Sequence, residues 1–367
     1  EDTRMKGLVL SGGKGTRLRP FTFTGAKQLV PIANKPVLFY VIEDLVRAGI
    51  TEIAVIVGET GDQIRAALGN GAQFGAQITF IDQPQPLGLA HAVLTAEDWI
   101  GASPFVMYLG DNFLRDGIGG LVGQFHDAMS QGAAAQILLT PVANPEQFGV
   151  AILDGDRISR LVEKPSPPPP GQAPISNLAL VGIYMFDQRI FAAARAIAPS
   201  PRGELEITDA IQWLIDHESE VRPCRLDGWW IDTGKMEDLL EANRLVLERL
   251  EPAIQGEVDS ASTLVGPIRV EEGARITNSV LRGPLTIGAG TEISECFIGP
   301  FTAIDHHCVV RRCEVQFSIV MEHSLIEDID TPIESSVIGR RARVGRIRRR
   351  PRAYRLTLGD YSCVEMP

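Results

Sequence analysis

From Leu264 onward, aliphatic residues recur six positions apart: Val270 and Ile276, Ile287 and Ile293, Ile298 then Ile304 then Val310, Ile338 and Val344. Glycine follows several aliphatic residues, in Val265-Gly266, Ile287-Gly288, Ile298-Gly299 and Ile338-Gly339. A six-residue repeat of this kind marks a β-helix, where each aliphatic side chain fills the interior of a coil wall. The repeat is interrupted, which leaves an ordinary antiparallel β-domain as the alternative. The reading adopted is a left-handed β-helix over 264–367, its edges exposed only at its ends.

The chain upstream has a different rhythm. Apolar β-branched runs give strands at Lys6–Leu10, Glu52–Val57, 78–81 and Phe105–Leu109, and amphipathic stretches give helices at 37–48, Gly61–Leu68 and 89–98. That alternation predicts an α/β fold, a mostly parallel mixed sheet of Rossmann-like type with helices on both faces. Ligands of such sheets sit beyond the carboxyl ends of the strands. The segments after Leu10, Leu109 and Ile231 are therefore the informative ones. A proline-rich break at 166–170 reads as a stiff surface loop. A helix at 236–250, with Leu239, Leu240, Leu245 and Leu247 on its apolar faces, bridges to the second domain. The expected division is a catalytic domain over 5–245, a linker over 246–263 and the β-helix over 264–367, which ends in an arginine-rich segment.

Composition narrows the class. With 367 residues, 44% of them hydrophobic, the chain suits two domains with an ample buried core. No apolar run approaches the roughly 20 residues of a membrane helix, so no membrane partner is expected. The start, Glu1-Asp2-Thr3-Arg4-Met5, lacks a basic region followed by an apolar run, so no secretory signal is expected. The five cysteines, Cys224, Cys296, Cys308, Cys313 and Cys363, are odd in number and have no Cys-x-x-Cys spacing. That argues for a reducing, cytoplasmic location over a disulfide framework or a zinc site. A net charge of −11 argues against nucleic acid as a partner. The eight arginines between Arg340 and Arg352 are a local exception, read as a solvated edge that helps contacts between subunits of a homo-oligomer.

Five segments carry chemistry. Leu8-Val-Leu-Ser-Gly-Gly-Lys-Gly-Thr-Arg-Leu18 is a strand entering a turn with glycines at 12, 13 and 15. Those glycines let the backbone approach a ligand and aim N–H groups at phosphate oxygens. The spacing fits neither a P-loop nor Gly-x-Gly-x-x-Gly. Arg17 and Lys27 place two cations in one loop, stiffened by Pro20 and Pro31, which suits a polyphosphate. Asp111, leaving an apolar strand, and Asp232, after Trp229-Trp230-Ile231, are carboxylates suited to Mg²⁺, which takes one or two carboxylates plus phosphate oxygens and water. Lys164 and Arg202 add cations at a strand end and beside a helix start. Taken singly, each has a plainer reading: caps for Asp111 and Asp232, a surface ion pair for Lys164, and a helix start capped by Thr208 or Asp209 beside Arg202.

Together the segments are more specific. In order stand Ser11-Gly-Gly-Lys-Gly-Thr-Arg-Leu-Arg-Pro20, Lys27-Gln-Leu-Val-Pro31, Asn34-Lys-Pro36, Gly88-Leu-Ala90 and Leu109-Gly-Asp-Asn112. Phe148-Gly-Val150, Glu163-Lys-Pro165, Arg202-Gly-Glu-Leu-Glu-Ile-Thr-Asp209 and Trp230-Ile-Asp-Thr-Gly234 follow. This set resembles the glucose-1-phosphate thymidylyltransferase family, the dTDP-glucose pyrophosphorylases, over residues 5–245. The appended hexapeptide-type domain is similar to the long form of that family. The resemblance implies a nucleotidyltransferase that joins dTTP to glucose 1-phosphate with Mg²⁺. Leu10, Gly12, Gly13, Gln28, Gln83 and Gly88 would bind the nucleotide, Gln28 near the ribose and Gln83 and Gly88 at the base. Arg17 and Lys27 would hold the triphosphate, and Asp111 and Asp232 the metal. Gly149, Glu163, Lys164 and Arg202 would hold the sugar phosphate. The chain departs from the short form at Phe148 and Leu178, where that form has tyrosine.

A phosphate monoester is already a nucleophile, so direct attack on the α-phosphorus needs no general base, only positioning and charge neutralisation. The alternatives are a UTP- or GTP-dependent transferase, or a bifunctional enzyme whose β-helix uses His306, His307 or His323 for acyl transfer to an amino sugar. A non-catalytic sugar-nucleotide sensor is disfavoured by the presence of Arg17, Lys27, Asp111 and Asp232. Every residue named for transfer precedes position 250.

Overall fold

A run of apolar residues is buried on both faces only as an inner strand of a covered sheet. In the computed structural model, which describes residues 4–13, 15–346 and 354–366, Lys6–Leu10 is such a strand. It lies parallel between Glu52–Val57 and Phe105–Leu109, with Leu10 opposite both Ile56 and Leu109. Gln77–Asp82 continues the parallel run. On the other side, Leu178–Phe186 pairs antiparallel with Phe105–Leu109, Ala133–Pro141 and Gly149–Asp154. Arg157–Glu163 pairs antiparallel with Gly149–Asp154, and Glu220–Arg225 lies parallel to Ala133–Pro141, which completes nine strands.

Alternation along the central strands sends side chains to both faces. Leu8, Leu10, Ala54, Ile56, Phe105 and Met107 share one core with Ala90, Val93, Ile190, Ala210 and Ile211 of the helices Leu89–Thr95, Arg189–Ala196 and Ile207–Asp216. On the opposite face the helix Val37–Arg47 presses against Gly7, where a Cβ would stand 3.2 Å from Leu45 Cδ1. The expected helix at 89–98 is two helices, Leu89–Thr95 and Glu97–Ile100, joined at the buried Ala96.

The described chain forms two compact units: Glu1–Lys14 with Leu38–Asp232, and Gly15–Val37 with Thr233–Pro367. The second holds the helix Met236–Leu247, whose buried Leu239, Ala242, Asn243 and Leu247 share one face. It also holds three stacks of short parallel strands. This is the left-handed β-helix. Its interior is a set of aliphatic ladders, such as Val270, Ile287, Ile304, Val320 and Ile338 in register. Within a coil the ladder positions fall at Leu264, Val270, Ile276 and then Leu281, two spacings of six and one of five. Sides that depart from six, this one and later Val315 to Val320 and Ile326 to Ile333, interrupt the six-residue repeat. Pairing already begins at Ala253–Ile254, inside the stretch 246–263 read as a linker, because Ala253, Ile254 and Val258 sit in register on the next coil. Arg343–Gly345 is the last strand of the coil among the described residues, and residues 347–352 of the arginine-rich segment lie outside them. No helix among the described residues is long and apolar enough to cross a membrane.

Candidate functional site

The backbone ladder of the parallel strands runs one residue past their carboxyl ends. Ser11 N donates to Ile56 O at 2.9 Å, Gly110 N to Leu10 O at 2.9 Å and Gln83 N to Val57 O at 2.9 Å. Ser11, Gly110 and Gln83 therefore start side by side at one rim. Gly12 follows Ser11 there, and a Cβ added to it would stand 3.6 Å from Gln83 Oε1. Gln83 Nε2 donates to Gly88 O at 3.4 Å and lies 2.9 Å from His91 Nδ1. The amide nitrogen is thus turned to Gly88 O and His91 Nδ1, and the amide oxygen faces the glycine turn. Gly88 has φ +106°, and a Cβ there would meet Leu205 O at 2.4 Å, so only glycine fits. The Ser11 hydroxyl is buried without a hydrogen-bond partner among the described residues. An orphaned buried hydroxyl costs about 1–3 kcal/mol, which a bound ligand oxygen would recover. Sequence reasoning singled out neither this hydroxyl nor His91. Leu10 is buried in the strand, and Gly13 is exposed.

Asp232 ends the strand Trp230–Asp232, and Asp111, in the turn after Phe105–Leu109, immediately precedes the strand that pairs with it. Asn112–Leu114 pairs antiparallel with Trp230–Asp232, with Asn112 opposite Asp232. Asp111 is thus one register position from Asp232, which puts the two Cα atoms within about 7 Å. The buried Asn112 ties the pair together. Its Nδ2 donates to Asp111 Oδ1 at 3.0 Å, while its Oδ1 accepts from Trp230 Nε1 at 2.6 Å and Gly182 N at 3.2 Å. Those partners lie 118 and 70 positions away, so no local pattern announces Asn112. Two carboxylates at neighbouring positions are the donor set that Mg²⁺ takes when substrate phosphates and water complete its shell, and these residues fit that ion.

A third group sits where the hairpin of Gly149–Asp154 and Arg157–Glu163 opens, with Glu163 opposite Gly149. Glu163 Oε2 accepts from Thr208 Oγ1 at 3.1 Å, and Oε1 accepts from Arg202 Nη2 at 3.2 Å. Arg202 Nη2 also donates to Glu206 Oε1 at 2.8 Å. Lys164 Nζ lies 3.9 Å from Glu163 Oε1, and its backbone is held left-handed at φ +42°, with its N–H on Phe148 O at 3.1 Å. A lysine there carries strain of the kind found at functional positions. Burial raises Glu163 above the ordinary glutamate value, and Glu206 adds to the rise against the pull of Lys164, Thr208 and Arg202. Thr208 is not the cap of its helix: the N-cap is Glu206, and the Thr208 hydroxyl serves Glu163. A Cβ at Gly149 would stand 2.6 Å from Thr208 Cγ2 and 3.0 Å from Glu163 Oε2. Phe148 lies edge-on to Trp230, ring centres 5.3 Å apart, and so joins this group to the Asn112 cluster.

Arg17, Lys27 and Gln28 belong to the second unit. Arg17 is exposed on the turn Thr16–Leu18, and Lys27 and Gln28 are buried in the turn Lys27–Leu29. The loop closes on itself at Gly15: φ is +60°, a Cβ would stand 2.8 Å from Lys27 Cβ, and Thr22 Oγ1 donates to Gly15 O at 2.7 Å. Gln28 Oε1 is buried without a hydrogen-bond partner among the described residues, an acceptor that a ligand hydroxyl would satisfy.

Known proteins share this arrangement of sequence. Residues 6–249 match the model of the family described as Nucleotidyl transferase. The chain is 52% identical over 363 residues to a glucose-1-phosphate thymidylyltransferase of Streptomyces antibioticus, covering 99% of each chain. It is 50% identical over 359 residues to a second, from Streptomyces griseus, covering 98% of each. A crystal structure of a Bacillus anthracis protein, assigned as a glucose-1-phosphate thymidylyltransferase and solved with a sucrose, superposes with a TM-score of 0.60 at 36% identity, over 66% of this chain and 94% of that one. A family match across the whole sheet, and relatives of full length at half identity, establish that this chain belongs to the nucleotidyl transferase family, among the long glucose-1-phosphate thymidylyltransferases.

Proposed function

We propose that the protein transfers a thymidylyl group from dTTP to α-D-glucose 1-phosphate, giving dTDP-glucose and pyrophosphate. The observation that carries the choice of nucleotide is Gln83, whose amide nitrogen is turned to Gly88 O and His91 Nδ1. The remaining amide oxygen accepts from an N3–H, which thymine and uracil have and cytosine lacks. The Streptomyces relatives, named for thymidylyl transfer to glucose 1-phosphate, support the same reading.

In the reaction, an oxygen of the sugar phosphate forms a bond to the α-phosphorus while the bond to the β-phosphate oxygen breaks. No proton needs to leave the nucleophile, so Glu163 serves as an acceptor for a sugar hydroxyl, steadied by Thr208 and Arg202. Lys164 and Arg202 pair with the phosphate of the sugar, and Gly149 leaves it room. Arg17 and Lys27 stabilise the charge that builds on the leaving pyrophosphate, an electrostatic contribution. Asp111 and Asp232 would hold Mg²⁺, which neutralises charge around the reacting phosphate. Asn112 keeps the Asp111 carboxylate oriented toward that role. The five free thiols support a reducing, cytoplasmic setting.

Phosphorus NMR of a mixture with dTTP, glucose 1-phosphate and Mg²⁺ tests the reaction class. Nucleotide sugar and pyrophosphate should appear in equal amounts. Formation of dTDP with a sugar bisphosphate would mean γ-phosphoryl transfer and would end this reading.

A further inference from the structure

The second unit joins two segments far apart in sequence, the loop Gly15–Val37 and the β-helix. Arg340, on the coil, donates from Nη2 to Leu29 O at 3.0 Å, next to Lys27 and Gln28. The same guanidinium is held by Glu322, with Nε 3.2 Å from Oε1, and its Nη1 lies 3.4 Å from where a Cβ on Gly25 would stand. Phe21 lies against Gly339, 3.4 Å from a Cβ position there. Further along, Ala33 and Asn34 both adopt left-handed backbone, at φ +47° and +64°. Asn34 Nδ2 donates to Ile304 O of a coil wall at 2.8 Å. The fully buried Asn243 accepts from Ala33 N at 2.9 Å and donates to Phe301 O at 2.9 Å.

These contacts take both sides of the segment that bears Lys27 and Gln28. Leu29 O is fixed from the coil by a charged donor, and Ala33 N and the Asn34 side chain are fixed by Asn243 and Ile304 O. A loop ordered by its own fold does not have to be ordered by its ligand, and binding costs less. Hydrogen bonds from charged donors are also about twice as strong as neutral ones, which suits Arg340 as an anchor. We propose that the β-helix braces the triphosphate loop, with Arg340 and Asn34 as positioning residues for nucleotide binding. The proposal rests on the reading that Arg17 and Lys27 bind the triphosphate. It also gives a role to the first arginine of the basic segment, in which Arg343 and Arg346 make surface pairs with Glu327 and Asp330.

The test compares Arg340→Ala, Arg340→Lys, Asn34→Gly and Arg17→Ala in the full-length protein. Asn34→Gly keeps the left-handed backbone and removes only the amide contact. Arg340→Ala and Asn34→Gly should each raise the KM for dTTP about tenfold, with the KM for glucose 1-phosphate within about twofold of the parent. Arg340→Lys should recover part of the loss, because a lysine keeps the charged donor but lacks the planar fork of the guanidinium. Hydrogen exchange of residues 26–33 should quicken in both loop variants while the coil interior stays protected. If Arg17→Ala raises the nucleotide KM and neither loop variant does, the brace is refuted and the site reading stands. If Arg17→Ala is itself silent, the site reading has failed. Equal rises in both KM values, with faster exchange throughout the coil, would make Arg340 merely structural.

Discussion

Asp111 and Asp232 are separated by most of the first unit, yet strand pairing brings them to adjacent register positions. Asp111→Asn and Asp232→Asn should each lower kcat by about two to three orders of magnitude, the usual loss when charge stabilisation is removed. Thermal stability should be kept, and the response to Mg²⁺ should weaken. Near-parental kcat at saturating Mg²⁺ would return either residue to the role of a cap. Lys164→Ala should raise the KM for glucose 1-phosphate about ten- to hundredfold, the range for a charge-assisted bond to phosphate. An equal loss for the nucleotide would put Lys164 on the wrong substrate. Burial lifts Glu163 above the ordinary value of 4.5, and the ionised form is the useful acceptor. The acid limb of kcat/KM for the sugar phosphate should therefore lie above that value, and Glu163→Gln should remove it. The sign for stability is opposite. A carboxyl raised by folding favours the fold below its unfolded value and loses that contribution as pH rises through the folded one. Glu163→Gln should accordingly leave the Tm unchanged or higher at neutral pH. Asp111 and Asp232 stand out in the sequence because each follows an apolar run. Asn112 and His91 do not, since a buried amide or imidazole is defined by its distant partners.

At the scale of elements, the parallel strands were readable from apolar β-branched runs, and the coil from its six-residue spacing. The interruptions that left room for an antiparallel domain come from sides whose spacing departs from six, as where Ile276 is followed by Leu281 and Ile326 by Ile333. A period of this kind emerges only when coils are aligned seventeen residues apart, as in the hydrogen bonds of Ser279 with Cys296 and Thr291 with Cys308. The strand Leu178–Phe186 carries a constraint with no pattern at all. A Cβ at Gly182 would stand 2.5 Å from Asn112 Oδ1, so the strand passes that amide only as glycine. Gly182→Ala should cost about 1–3 kcal/mol by overpacking and should lower kcat along with the Tm, as read by thermal denaturation and initial rates. A loss of Tm with kcat intact would mean that Asn112 supports the sheet and not the carboxylates.

Taken whole, the chain does not divide where its motifs do. All residues named for transfer precede position 250, which makes a shortened chain look sufficient. The loop Gly15–Val37 nevertheless shares a unit with the coil, because Leu29, Ala33 and Asn34 bond to residues from Asn243 onward. A chain ending near Leu250 should keep the circular dichroism of the sheet and lose saturation by nucleotide. Full activity in that fragment would show that the coil is dispensable to the loop. The central claim concerns which anhydride is made, and the proposed function has the Gln83 amide oxygen accept from the base. Thymine and uracil meet it, and the single methyl between them allows discrimination of about 1–3 kcal/mol, whereas cytosine leaves buried polar groups unpaired. The most direct measurement is pyrophosphate release over a matrix of nucleoside triphosphates against hexose 1-phosphates. The highest kcat/KM should fall on dTTP with glucose 1-phosphate, UTP second, with CTP, ATP and GTP far behind. GTP with mannose 1-phosphate outperforming that pair would contradict the account.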